Sequence, residues 1–209
     1  MQFYLITVVY TFYLLTSLPE GRNMHHSTIR YLLKSIVCLF MLSPLTVSAQ
    51  VDCSTLPRWV TLENGLRLNQ YHVFCGEWHN NRPKGFHSRP EGINPATVSQ
   101  FIVQSPANAA GIYTGRWTHQ SNPSKNKFSS MFPDHCTVTQ ILKSISHATA
   151  GSESNCPAGS PDWIRCGLNK PAANVEQPLH YCSKDGNFFT IGFAPAKQGG
   201  INTAFPIFE

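Results

Sequence analysis

The feature that most limits how this chain can fold is an even set of six cysteines behind a leader-like N-terminus: Cys53, Cys75, Cys136, Cys156, Cys166 and Cys182. Two apolar stretches open the chain, Phe3–Leu18 and Leu32–Val47. The second has the parts of a secretory signal: Arg30 and Lys34 as a basic region, Ile36–Leu42 as the apolar region, and Val47-Ser48-Ala49 as a small-residue cleavage site. Met24 then reads as the start, with residues 1–23 ahead of it. The competing reading makes Phe3–Leu18 a transmembrane helix, although it is shorter than the roughly 20 residues a bilayer requires. Cys38 falls inside the signal, which leaves the even set for the exported part. Export favours oxidation, so up to three disulfides are expected, with their pairing open. A zinc site is the rival use of these residues. Cys75 and His79, with His72 and His87 nearby, can be drawn as one, but the chain has neither a CxxC nor an HExxH motif.

Cleavage after Ala49 leaves Gln50–Glu209, the size of one domain with a substantial core. The whole chain carries a formal charge of +5. Removing Glu20, Arg22, Arg30 and Lys34 with the leader brings this to +3. That mild excess suits a polyanionic partner without requiring one. No repeat, low-complexity tract or second domain is visible.

Pattern and punctuation give a coarse layout. Tyr71–Phe74 alternates aromatic and polar character around Val73 and reads as a short strand. Residues 88–97 are loop, by their two prolines and glycine. Val98–Ser105 and Gly111–His119 read as strands, and Gln120–Lys127, polar and interrupted by Pro123, as an exposed loop. Val138, Ile141, Leu142, Ile145 and Ala148 share one face of a helix that Asp134 or Thr137 can cap and Gly151 can end. Ala150–Ala173 reads as a long surface segment that needs its disulfides. Phe188–Phe193 and Ile201–Phe208 complete the strands. Trp59, Trp78, Trp117 and Trp163 read as core or disulfide-packing residues. Short strands with one dominant helix predict a compact α+β domain.

The chemistry concentrates in Tyr71–Pro90, which holds three of the nine histidines, His72, His79 and His87. A turn-prone run, Asn80 to Gly85, separates the outer pair, so a looped-back segment can set two imidazoles on either side of a cleft. Imidazole titrates near neutrality, and one ring can take a proton while the other gives one. Paired in this way, they meet the requirement for cleaving RNA without a metal. On spacing alone, two histidines satisfying hydrogen bonds in a hairpin are the simpler reading. His79 sits at the edge of that turn. With His119, His135, His147 and His180 it is expected to be surface or structural. Glu77 can orient the first ring, or simply mark the end of a strand. Arg82, Lys84 and Arg89 cluster nearby as candidates for an RNA backbone.

Four pieces of sequence add weight to the catalytic reading. His72-x-Phe74-Cys75-Gly76-Glu77 is followed by Gly85-Phe86-His87-Ser88-Arg89-Pro90, then by Ser129-Ser130-Met131-Phe132-Pro133, then by Ile201-Asn202-Thr203-Ala204-Phe205-Pro206. In this order they resemble the bacterial EndoU-type endoribonucleases, over nearly the whole exported part. That family is similar in active site to poly-uridylate endoribonucleases of animals and coronaviruses, and it supplies toxin domains to bacterial competition systems. The resemblance implies an α+β fold with antiparallel sheets framing the cleft and a His–His–Lys triad. It assigns His72 as general acid, His87 as general base and Lys127 as the phosphate-neutralising cation, with Lys125 the alternative. It implies that Thr203 and Phe205 meet phosphate, base or ribose. Phe205 stands where the family has tyrosine, which keeps the stacking ring and removes its hydroxyl. Ser129 and Ser130 are candidates for a pyrimidine edge, or caps of the next turn. Phe205 and Phe208 have the competing reading of core residues in a last strand.

The resemblance therefore implies a secreted or periplasmic enzyme that cuts single-stranded RNA, preferring uridine, by transesterification to a 2′,3′-cyclic phosphate and a 5′-hydroxyl. No metal is required by that chemistry, although manganese or calcium stimulates some relatives. No stable membrane association is expected after signal cleavage. A toxin role would use the same activity and require an immunity protein as partner. A third reading, from another class, is a disulfide-rich binding protein on an EndoU scaffold without activity.

Overall fold

A computed structural model of the chain describes residues 50–151, 156–172 and 180–209. The leader, both apolar stretches and Met24 lie outside these residues. Among the described residues the elements run β1 (Trp59–Thr61), β2 (Arg67–Asn69), α1 (Gln70–Phe74), β3 (Glu77–His79), β4 (Arg82–Lys84), β5 (Val98–Ser105) and β6 (Tyr113–His119). They continue as β7 (Asn122–Met131), α2 (Val138–Ala150), β8 (Arg165–Leu168), β9 (Thr190–Phe193), β10 (Gly200–Ile201) and β11 (Ala204–Pro206). The class is α+β, as expected. The sheets are β1-β2-β10, the hairpin β3-β4, β5-β6-β7 and β8-β9-β11 with β9 central. Their pairings are antiparallel except for the short parallel contact of β10 with β2.

Helix α2 follows from its sequence. Thr137 accepts a hydrogen bond from the Gln140 backbone N–H while the Gln140 side chain accepts from that of Thr137, a reciprocal cap that satisfies two otherwise unpaired donors. Its apolar face buries Ile141, Ile145 and Ala148. The helix lies so close to β8 that a Cβ on Gly167 would come within 2.1 Å of the Ala148 carbonyl oxygen. Only glycine permits that approach.

Two hydrophobic clusters result. The larger contains Leu68, Val73, Phe74, Ile112, Phe132, Ile141, Ile145, Ile191 and Ile201. The smaller centres on Phe86, Val98, Tyr113, Trp117 and Met131, with Phe101 packed against it. All six downstream cysteines are bridged: Cys53–Cys75, Cys136–Cys182 and Cys156–Cys166. The first ties the segment ahead of β1 to the end of α1, and it denies the drawn zinc site its thiolate.

Several expectations are corrected. Tyr71–Phe74 is helix rather than strand. The Asn69 side chain accepts from the His72 backbone N–H, and the Tyr71 carbonyl accepts from both Cys75 and Gly76. Gln120–Lys127 is mostly strand β7, and Pro123 is tolerated because β7 is an edge strand of its sheet. Within 150–173, β8 buries Cys166, and Trp163 is 55% exposed rather than packed. The last strand is split in two by Asn202 and Thr203, and Phe208 is 38% exposed, so it is not a core residue.

Candidate active site

The looped-back segment exists, in a more specific form than a plain hairpin. The β3-β4 hairpin turns at Asn80 and Asn81, both with positive φ (50° and 57°), which asparagine tolerates better than most residues. The chain then returns to α1. Phe86 N–H donates to the His72 carbonyl at 2.7 Å and His87 N–H to the Val73 carbonyl at 2.8 Å. Gly85 makes this closure possible: its φ is +74°, and a Cβ there would lie 2.1 Å from the His72 carbonyl oxygen and 2.8 Å from the imidazole. The two rings end with centroids 6.2 Å apart. His72 is rooted beside Val73 and Phe74 of the larger cluster, and His87 follows Phe86 of the smaller one.

Both rings line a cleft of about 1190 Å³ together with Lys127, Ser129, Ser130, Thr203 and Phe205. These seven candidates from the sequence thus meet in one place. Lys125 does not join them. Its ammonium donates to the Asn81 carbonyl at the hairpin tip, at 3.0 Å. His79 is exposed at the end of β3.

Each ring has one nitrogen committed. His87 Nδ1 lies 3.1 Å from the Ser130 carbonyl oxygen. A carbonyl only accepts, so Nδ1 carries the proton and the neutral ring presents a lone pair at Nε2. Burial holds the His87 imidazole well below its ordinary value, helped by the positive charge of Lys127 and by His72. The ring is therefore neutral near pH 7, the state a base requires. His72 Nδ1 lies 2.6 Å from Glu77 Oε2. The carboxylate fixes Nδ1 as the protonated nitrogen and leaves Nε2 for the cleft. Burial alone would raise the Glu77 carboxyl. Hydrogen bonds from His72 and Asn69 and the charges of His72 and Arg58 outweigh it and hold the group below the usual range.

Lys127 and Ser129 lie on one face of β7, two residues apart. Lys127 Nζ donates to Ser129 Oγ at 2.9 Å and to the Phe128 carbonyl at 3.0 Å. Desolvation brings the Lys127 ammonium down to about 8. The Ser129 hydroxyl is already engaged. It donates to the Gly85 carbonyl and accepts from Trp117 Nε1 as well as from Lys127. It links the hairpin exit, the smaller core and the cation. Ser130 is half-buried and uses its carbonyl on His87. The Thr203 hydroxyl has no hydrogen-bond partner among the described residues and lines the cleft. Phe205 stacks on His87, with centroids 5.2 Å apart at 29°, and it is half-buried rather than sealed in the core.

Arg82 and Lys84 line the cleft, but Arg89 does not. It pairs with Asp134, donates to the Tyr113 hydroxyl and covers the Phe101 ring, so it is a structural residue. Among the described residues there is no cluster of His, Cys, Asp and Glu able to hold a metal.

Among the cleft residues that sequence reasoning missed are Asn202, Lys197 and Trp163. It also missed Asn69, which is fully buried and whose amide donates to Asn202 Oδ1 at 3.1 Å and to Glu77 Oε1 at 3.4 Å. Asn202 sits inside the C-terminal motif and was open to notice. Nothing local marks Lys197 or Trp163.

Two facing imidazoles beside a cation are a constellation fitted to phosphodiester cleavage, which makes a nuclease the class at issue. Residues 67–208 match the family model described as Bacterial EndoU nuclease. The chain belongs to that family. No curated protein and no solved structure matches it.

Proposed function

We propose that this nuclease is an endoribonuclease that cleaves single-stranded RNA by transesterification, with a preference for uridine. The observation that carries the reading is the neutral, tautomerically fixed His87 facing a carboxylate-backed His72 across the cleft, with Lys127 lining the same cleft. His87 Nε2 takes the proton of the 2′-hydroxyl. The 2′-oxygen forms a bond to phosphorus and the bond from phosphorus to the 5′-oxygen breaks. His72 Nε2 gives its proton to the leaving 5′-oxygen. The products are a 2′,3′-cyclic phosphate and a 5′-hydroxyl. Each proton transfer is worth about 10²–10⁴-fold. Lys127 offsets charge that builds on the phosphoryl oxygens, Ser129 holds Lys127, and Ser130, Thr203 and Phe205 bind nucleotide. Arg82, Lys84 and Lys197 supply the electrostatic attraction for the strand.

Three disulfides suit an oxidising compartment, and no described helix is long and apolar enough to cross a membrane. Both fit a secreted or periplasmic enzyme. The test is cleavage of a uridine-containing oligonucleotide by the purified protein in EDTA, with His72→Ala and His87→Ala as controls. A cyclic phosphate end should form, and the all-deoxy oligonucleotide should be inert. Equal cleavage of the deoxy strand would rule the mechanism out.

A further inference from the structure

The cleft continues past Phe205. A second pocket of about 330 Å³ adjoins it, and Phe128, Ser130, Pro161 and Phe205 line both. The second pocket has three properties that the fold itself does not use. The rings of Phe128 and Phe208 on its walls are 49% and 38% exposed. Ser160 Oγ is buried against it without a hydrogen-bond partner among the described residues. An unpaired buried hydroxyl is unfavourable, a penalty that a ligand with a polar edge removes. Finally, no charged side chain lines this pocket, whereas Arg82, Lys84, Lys127 and Lys197 all line the first cleft.

This partition of charge separates two kinds of ligand group. Phosphates belong in the first cleft. The second suits something planar, uncharged and polar at its edge. We propose that the second pocket is a base subsite, taking a nucleobase that flanks the scissile step on the same strand. The base lies against Phe128 and Phe208 and bonds through its edge to Ser160. The volume is at the lower end of the roughly 300–1,000 Å³ typical of small-ligand sites, so it admits one base and not a paired helix. The Cys156–Cys166 bridge closes the loop that carries Ser160 and Pro161, which fixes that wall in place. Selection for single strands follows, because a stacked and paired base cannot turn into the pocket. The proposal rests on the ribonuclease reading.

The test uses oligonucleotides with a single ribose, at one uridine, in an otherwise deoxy strand. Abasic residues replace the neighbours one position at a time on either side. One abasic position should lower kcat/KM by about 5- to 150-fold, the equivalent of about 1–3 kcal/mol per stacked base. Phe208→Ala should lower kcat/KM on the intact strand by a similar factor and should add no further loss on that abasic strand. Equal cleavage of every abasic strand by the unaltered protein overturns the subsite. So does full abasic sensitivity retained in Phe208→Ala. If the single-ribose strand is not cut at all, the ribonuclease reading itself fails, and the subsite goes with it.

Discussion

Lys127 is the residue on which the electrostatics of the site can be tested most sharply. Its ammonium is brought to about 8 by desolvation, and its charge is one of the causes that depress His87. Substituting Lys127 should therefore disturb both ends of the pH profile. For a group titrating at about 8, roughly nine-tenths is charged at pH 7, half at pH 8 and about a tenth at pH 9. If the charge is needed at the phosphoryl group, raising the pH from 7 to 9 removes about tenfold in kcat/KM through Lys127 alone. Arginine keeps its charge over this range. The ratio of kcat/KM between the unaltered protein and Lys127→Arg, measured at each pH, cancels whatever the histidines contribute. That ratio should fall about tenfold between pH 7 and pH 9. Lys127→Met should lower kcat/KM at pH 7 by about 10²–10³-fold, the usual loss when one preorganised donor to a developing oxyanion is removed. It should also move the acid limb to higher pH, because His87 loses a positive neighbour. The assay is initial-rate cleavage of a fluorescent uridine oligonucleotide at constant ionic strength. A constant ratio from pH 7 to 9, with an unmoved acid limb in Lys127→Met, would refute the assignment.

Two further outcomes follow from the same groups. Glu77→Gln keeps the shape of the side chain and loses the charge that faces His72. A hydrogen bond to a charged group contributes about 1.5–3 kcal/mol, so kcat should fall about 10- to 150-fold with little change in KM, and Glu77→Asp should recover part of the loss. Equal kcat in the glutamine variant would remove Glu77 from the site. Burying His87 neutral also links folding to pH. The folded group is held below its ordinary value near 6.5. As pH falls through 6.5, the unfolded imidazole binds a proton that the folded one does not, and stability drops by up to about 1.4 kcal/mol per pH unit until the folded group titrates. His119 and His147 are shifted in the same direction and add to the slope. Urea midpoints at pH 7.0 and 5.5 should show the loss, and His87→Gln should reduce it. Identical pH slopes for the two proteins would contradict the burial argument.

How much was legible depended on the length of each pattern. Val98–Ser105 is a strand with the expected ends, and α2 starts at its expected cap, because both are long enough for period and punctuation to agree. Tyr71–Phe74 failed because four residues cannot separate a period of 2 from one of 3.6. The deciding partners were the Asn69 side chain ahead of the segment and the Gly85 return behind it. Gln120–Lys127 failed because polar composition describes exposure, and an edge strand can be as exposed as a loop. The triad candidates were legible only through their order along the chain. The bonds that support them were not, even where the residue itself, such as Ser129, was already a candidate. These bonds join residues such as Asn69 and Asn202 that are 133 positions apart, a relation that local pattern does not carry.

The misread strand matters most for how the site works. β7 fixes three things at once. His87 N–δ1 is held by the Ser130 carbonyl, and Phe132 N–H donates back to the His87 carbonyl at 2.8 Å. The Ser129 hydroxyl holds Gly85, the residue that lets the loop close on His72. Lys127, on the same face as Ser129, is then set relative to both rings by strand geometry rather than by a flexible loop. Had Gln120–Lys127 been a solvated loop, Lys127 would have stayed fully hydrated, with no desolvation to bring its ammonium to about 8, and His87, depressed chiefly by its own burial, would have lacked the added push of a nearby fixed charge. A fixed spacing between histidines rooted on two separate hydrophobic clusters requires an element bound to both. β7 and the residue after it meet that requirement: Met131, the last of the strand, sits in the smaller cluster and Phe132, just beyond it, in the larger.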